Sequence, residues 1–192
     1  HSLVGSEMCI RDRATHIAPA AGPSASAVSG VQASAYFPTL IVTCDLPLLN
    51  AEIVDEFCST VVKQQADFVA AAVDYQTIAQ LIPELKKTKY SFKQDQVCFA
   101  NLFAVLAEPG LKALDFWQTI ENDRKRPIEI VKKIDWSSLI QYQLGELTLN
   151  KVEQVLSDKI DARLAIQLFN QPQLAIDVDS AHDYKVMSNY LT

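Results

Sequence analysis

Leu40-Ile41-Val42-Thr43-Cys44-Asp45-Leu46-Pro47-Leu48-Leu49-Asn50 decides how the rest of the chain is read. Apolar, β-prone residues run without a charge into one aspartate. That is the pattern of a strand buried on both faces. Pro47 has no N–H to give a ladder, so pairing stops there and Asp45 stands where the chain leaves the sheet. Asn50 is a favoured helix N-cap, and Glu52 falls in the first turn, where negative charge suits the dipole. Ile53, Val54, Phe57, Cys58, Val61 and Val62 then recur at helical spacing to about Gln65. Strand, acidic loop and amphipathic helix make one unit of an open α/β sheet. Such sheets bind ligands off the carboxyl ends of their strands.

Downstream, Asp67 to Val73 reads as a second buried strand, and Ile78 to Leu85 as a short helix interrupted by Pro83. Lys86 to Lys93 alternates charged and aromatic residues, Gln94-Asp95-Gln96 turns, and Val97 to Val105 returns as a buried strand. Asn101 lies inside that strand. A buried amide without a partner costs about 1–3 kcal/mol, so backbone or a substrate hydroxyl must satisfy it. Lys86 and Lys87 read as solvated lysines. Pro109 and Gly110 open a helix to about Asp123, followed by Arg124-Lys125-Arg126-Pro127. Three cations there complement the helix dipole, and the arginine forks also suit phosphate. Ile128 to Leu144 and Leu149 to Leu156 read as helices, with Gly145 as the C-cap between them. Trp136 and Tyr142 read as core or cover residues. Ala162 to Leu168 alternates as an edge strand.

Upstream, Thr15 to Pro19 reads as a short edge strand, and Ala20 to Ser26 as a small-residue loop. Ser24 is placed to cap a helix running to about Ala35. At the other end, the stretch Leu174 to Tyr184 holds a short strand that carries Asp177 and Asp179 on one face, with Val178 opposite. Ser180 caps a last helix. Mg2+ takes hard oxygen ligands, commonly one or two carboxylates with phosphate oxygens and water. Asp45 and one aspartate of this second cluster supply that pair.

The segment VTCDLPLL resembles the metal-binding strand end of the nucleotidyltransferases related to molybdenum cofactor guanylyltransferase, the MobA-like NTP transferases. The segment IDVDSAHDY is similar to the acidic element that ends many members of that superfamily. The resemblance spans about Thr15 to Tyr190. It implies an α/β fold, a Rossmann-like, mostly parallel sheet with helices on both faces. It implies Mg2+ as cofactor, held by Asp45 and Asp179, which serve as the catalytic pair. A nucleoside triphosphate and a small acceptor are the implied partners, with pyrophosphate released. By the same resemblance Ser24 and Ser26 face the base, Asn101 lies beside the acceptor, and Arg124 or Arg126 binds phosphate. His182 falls at a variable place and receives no role.

The family also opens with a Gly-rich loop carrying Arg and Lys, which wraps the triphosphate. The five glycines, at 5, 22, 30, 110 and 145, form no such loop. His1 to Arg13 resembles the translation of a transposase-type sequencing adapter joined to a gene fragment and is set aside as a foreign tail. The expectation is one domain from residue 14 to 192, incomplete at its start and inactive without that loop.

The whole chain fits this reading. It has 192 residues, 49% hydrophobic and 21% charged, enough for one domain with a full core. Its net charge of −6 argues against a general nucleic-acid or anionic-membrane binder. Cys9, Cys44, Cys58 and Cys98 show no metal spacing and read as core residues of a reducing cytoplasm. Two rivals stay open: a nucleotide-sugar glycosyltransferase, which also uses an Asp-x-Asp motif, and a truncated non-catalytic domain.

Overall fold

The computed structural model describes residues 15–34, 36–123 and 125–191. The expected foreign tail, and Arg124, lie outside them. In chain order the helices and strands are α1 (Pro23–Ser34), β1 (Thr39–Val42), α2 (Ala51–Val61), β2 (Phe68–Asp74), α3 (Tyr75–Leu81), β3 (Tyr90–Ser91) and β4 (Gln96–Val105). There follow α4 (Leu111–Ile120), α5 (Pro127–Ile134), α6 (Trp136–Gln143), α7 (Leu149–Ile160), β5 (Leu164–Phe169) and α8 (Ala181–Leu191). Thr15 to Pro19 forms no strand. None of the described helices is long and apolar enough to cross a membrane.

The sheet has the order β1-β4-β2-β5, with β3 paired to β4. β1 and β2 both run antiparallel to β4, while β5 runs parallel to β2. Three of the four strands on this path therefore point one way, and β4 runs against them from a central place. The sheet is thus mixed. β1 pairs only with β4 among the described residues. That end position explains why it is half-buried, with Val42 exposed, where the sequence suggested a strand covered on both faces.

Alternation along the central strands sends side chains to two different cores. Val69, Ala71 and Val73 of β2, with Ala100, Leu102 and Ala104 of β4, face Ile53, Phe57 and Val61 of α2, Ile78 of α3 and Met187 of α8. The opposite face of the same strands meets the other helices. Ala72 and Val97 pack with Ile130, Val131, Leu139 and Val152, while Phe68 and Val105 pack with Val31, Ala113 and Leu114. Helices thus cover both faces. Phe57, Val69 and Leu102 are fully buried, each such side chain contributing about 1.5–3 kcal/mol against exposure.

Local chemistry fixes the element ends. Asn50 caps α2 by accepting from the Ile53 N–H, as its residue type dictates. Gly145 follows α6 with φ 71°, the left-handed conformation that glycine adopts without strain. The single helix expected over 128–144 is two, because Asp135 leaves helical geometry and caps α6 through Ser138. Trp136, at the start of α6, is exposed rather than in the core. Asp67, just before β2, grips Arg163, just before β5, through the arginine's guanidinium and N–H. Its carbonyl, which accepts from the Leu106 N–H at 2.8 Å, packs directly on Gly110.

Two outcomes follow from these contacts. A Cβ at Gly110 would overlap the Asp67 carbonyl oxygen and lie 3.2 Å from Val105 Cγ1. Gly110→Ala is therefore expected to destabilise the fold by about 1–3 kcal/mol in urea unfolding, the usual range for overpacking. For Asp135, burial works to raise the carboxyl, but hydrogen bonds from Ser138 and Ser137 outweigh it and hold it at about 2. Asp135→Ala is expected to cost about 1 kcal/mol at pH 7. Because the folded value lies below the ordinary one, that difference is complete above about pH 4 and vanishes as pH falls through 2. Urea titrations of both proteins across pH 2–7 measure it.

Candidate active site

β1 ends at Val42, and the ladder continues one step through the Thr43 N–H to the Asn101 carbonyl. Asp45 follows on the loop, beyond the strand's carboxyl end. Its carboxylate accepts from the Thr43 hydroxyl. The second acidic segment reaches it without forming a strand. Residues 172–175 form a 3-10 turn that buries Leu174 and Ala175, and Ile176 follows fully buried. Residues 176–179 then run outside the ladder, and the Val178 N–H donates to the Asp45 carbonyl at 3.0 Å. The expected short strand is absent: residues 176–179 join no ladder, and the segment is held by its buried apolar residues, by that bond and by side-chain donors to Asp177.

One carboxylate oxygen from each of Asp45, Asp177 and Asp179 lies within 4.8 Å of the others. The sequence placed Asp45 and Asp179 together, and the fold brings them together with Asp177. Asp177 is the most constrained of the three. Lys87 Nζ donates to its carboxylate and, at 2.5 Å, to its carbonyl, and Asn101 Nδ2 donates to Oδ2 at 2.8 Å. Lys87 was expected in solvent. Its side chain is instead only 9% exposed, because it reaches across to the acidic loop. Within the protein, the Asn101 amide donates to Asp177.

Asp179 faces Lys125 Nζ at 3.8 Å. The middle residue of Arg124-Lys125-Arg126 therefore reaches the aspartates. Arg126 turns back to Asp123, which Lys133 also binds at 2.7 Å. The Lys133 hydrogen bond outweighs burial and, with the charges of Lys133 and Arg126, keeps the Asp123 carboxyl below its ordinary range. Ser180 caps α8 as expected, accepting from the Asp183 N–H at 3.2 Å.

A cleft of about 440 Å³ opens beside these groups, lined by Asn101, Asp177, Asp179, Lys87, Lys125 and the aromatic Trp117, among others. Ser24 and Ser26 do not line it. The Ser24 hydroxyl donates to Glu121 Oε2 at 2.6 Å, and the Ser26 hydroxyl donates to the Gly22 carbonyl at 2.8 Å. The Cys98 thiol does line it and is buried. Burial pushes that thiol up to about 12, with the Asp177 charge adding to the rise and Lys87 opposing it. Cys44, expected in the core, is exposed.

The model of the MobA-like NTP transferase domain matches residues 11–125. The chain belongs to that family. The match takes in Asp45, Lys87, Asn101 and Lys125 and stops short of Asp177 and Asp179. A solved structure described as a hypothetical transferase from Thermus thermophilus superposes with a TM-score of 0.73. It shares 22% identity and covers 86% of this chain and 71% of its own, a likeness of fold. No curated protein matches the chain significantly. The MobA-like family makes a nucleoside triphosphate the substrate and nucleotidyl transfer the kind of reaction.

Of the three described cysteines of this MobA-like chain, Cys98 is the protected one. A thiol reagent at pH 8 is expected to modify Cys44 within minutes and Cys98 only on unfolding. Peptide mass spectrometry after timed alkylation reads this out. Labelling of Cys98 as fast as Cys44 would contradict the packing described.

Proposed function

We propose that this site transfers a nucleoside monophosphate from a nucleoside triphosphate to a phosphorylated or similar small acceptor, in a Mg2+-dependent reaction. A new bond forms between an acceptor oxygen and the α-phosphorus. The bond from that phosphorus to the bridging oxygen breaks, and pyrophosphate leaves. The observation that carries the reading is the convergence of Asp45, Asp177 and Asp179 within 4.8 Å beside a cleft, in a chain of this family.

The donor set fits the cation. It offers only carboxylate oxygens, the hard ligands that Mg2+ selects, and none of the sulfur or imidazole that zinc prefers. Asp45 and Asp179 are the residues that would hold it. When bound, Mg2+ offsets the negative charge of the triphosphate and of the departing pyrophosphate. The chain's own side chains position and neutralise rather than react. Lys125, 70% exposed at the cleft, presents a mobile cation to a phosphate. Arg126, 64% exposed, is a second such cation if its pairing with Asp123 opens. Asn101 fixes Asp177 beside the acceptor side of the cleft. The reading needs nothing from Ser24 or Ser26, whose hydroxyls are spent within the protein.

Binding tests this first. Each of the four common nucleoside triphosphates is titrated calorimetrically with and without Mg2+, and pyrophosphate release is then followed with phosphorylated acceptors. Triphosphate binding is expected to require Mg2+ and to weaken at least tenfold in Asp45→Asn and in Asp179→Asn. Any turnover should fall about 10²–10³-fold, the usual effect of removing a group that stabilises transition-state charge. Binding indifferent to Mg2+ and to both substitutions would overturn the proposal.

A further inference from the structure

The face of the sheet under α4, α5 and α7 is not filled. β2 carries alanine at 70, where buried strands commonly carry Val, Ile or Leu, and Ala70 stands opposite Phe103 of β4. A methyl beside a phenyl leaves room above the strands. The helices roof that room without closing it. Ala70, Phe99 and Phe103 on the sheet, with Phe116, Trp117 and Leu156 on the helices, surround a cavity of about 100 Å³. Its lining is almost wholly apolar. β2 and β4 are inner strands, yet Ala70, Phe99 and Phe103 stay only half-buried, because open space lies directly against them. An apolar cavity of this kind stays dry and takes up hydrocarbon, and one of roughly 150 Å³ holds a benzene.

Tyr90, Phe99 and Trp117 line both this cavity and the acidic cleft. Asn101, which donates to Asp177, stands between Phe99 and Phe103 in β4. The apolar space thus adjoins the place where a phosphorylated acceptor would meet the aspartates. Resting on the transferase reading above, we propose that the acceptor carries a compact hydrocarbon group of about four to six carbons, which this cavity holds while the phosphate lies in the cleft. The two spaces then divide the recognition. Cleft lysines answer the charge, and the cavity selects on the group behind it. A sugar phosphate gains nothing there, since each hydroxyl placed against these side chains loses water and finds no partner.

The chain has two tryptophans, Trp117 at the cavity and the exposed Trp136. Trp136→Phe leaves Trp117 alone, and its emission reports occupancy. The whole chain in that background is titrated, with Mg2+ and without nucleotide, against inorganic phosphate and the methyl, butyl, hexyl and octyl monophosphates. Affinity is expected to rise about three- to fourfold per methylene and to level off near about six carbons. A flat series overturns the inference. Hexanol is expected to bind about tenfold or more weakly than hexyl phosphate, for want of charge-assisted bonds. Equal binding would mean that the cavity does not serve a phosphorylated acceptor, and overturns the inference too. Ala70→Leu and Ala113→Leu each add bulk at the cavity wall. They should make hexyl and methyl phosphate bind alike and leave methyl phosphate essentially unchanged. Thermal melting separates filling from unfolding. If either variant folds and keeps the full rise with chain length, the inference falls. If neither folds, the chain-length series and the hexanol comparison decide it. Triphosphate binding is measured separately. A flat series beside Mg2+-dependent triphosphate binding overturns this inference alone, whereas a rising series without triphosphate binding overturns the function it rests on.

Discussion

Carboxylates repel, and three of them within 4.8 Å need something to hold them there. This constraint organises the site end of the molecule. Part of the answer is apolar. Leu174 and Ile176 are fully buried under α3 and the sheet, so the acidic loop is pinned just before its charges begin. Part is a single backbone bond, from the Val178 N–H to the Asp45 carbonyl. Side chains contribute too: Lys125 faces Asp179, and Lys87 and Asn101 donate into Asp177. A buried pair of this kind adds little stability of its own, since desolvation offsets its attraction. Its contribution here is geometric. It fixes where the acidic loop lies relative to the end of β1.

Much of the fold was legible in the sequence because its signals are local. The apolar run of β2, the turn between β3 and β4, the Asn50 cap and the glycine at 145 all act through neighbours a few residues away. Asp45 was legible for the same reason, as an acid where an apolar run stops. What misled was long range. Lys87 sits in a charged stretch and looks solvated, and only the fold shows that an acidic loop from the far end of the chain lies over it. Lys125 was hidden between two arginines of stronger phosphate chemistry. The reading of 174–179 as a strand followed its alternation correctly, yet alternation cannot say whether a ladder partner exists. At Asp135 the local signal is an aspartate able to cap a helix through the N–H three residues on, at Ser138, and it splits one apparent helix into two.

The family match and the fold contribute different halves of the site. The match ends at residue 125, so it covers Asp45 and both lysines but neither Asp177 nor Asp179. The backbone then returns the last acidic loop to the first acidic strand end, which sequence similarity alone does not register. The site is shared between distant parts of the chain, with β4 between them carrying Asn101.

That place of β4 has a consequence for how the chain comes off the ribosome. β1 pairs with β4 alone among the described strands, and the residues it pairs with are synthesised about sixty residues later. At about 5–20 residues per second, β1 waits several seconds for this partner strand. β2 and β4 are close in sequence and can pair as soon as β4 emerges. The ladder of β1 to β4, with Asp45 just past its end, can form only once β4 has emerged. Through this interval Leu40 and Ile41 lack the Ala104 and Phe103 partners they have in the fold, and a strand edge left unpaired in this way is the kind of segment that chaperones hold and that crowded chains pair with each other.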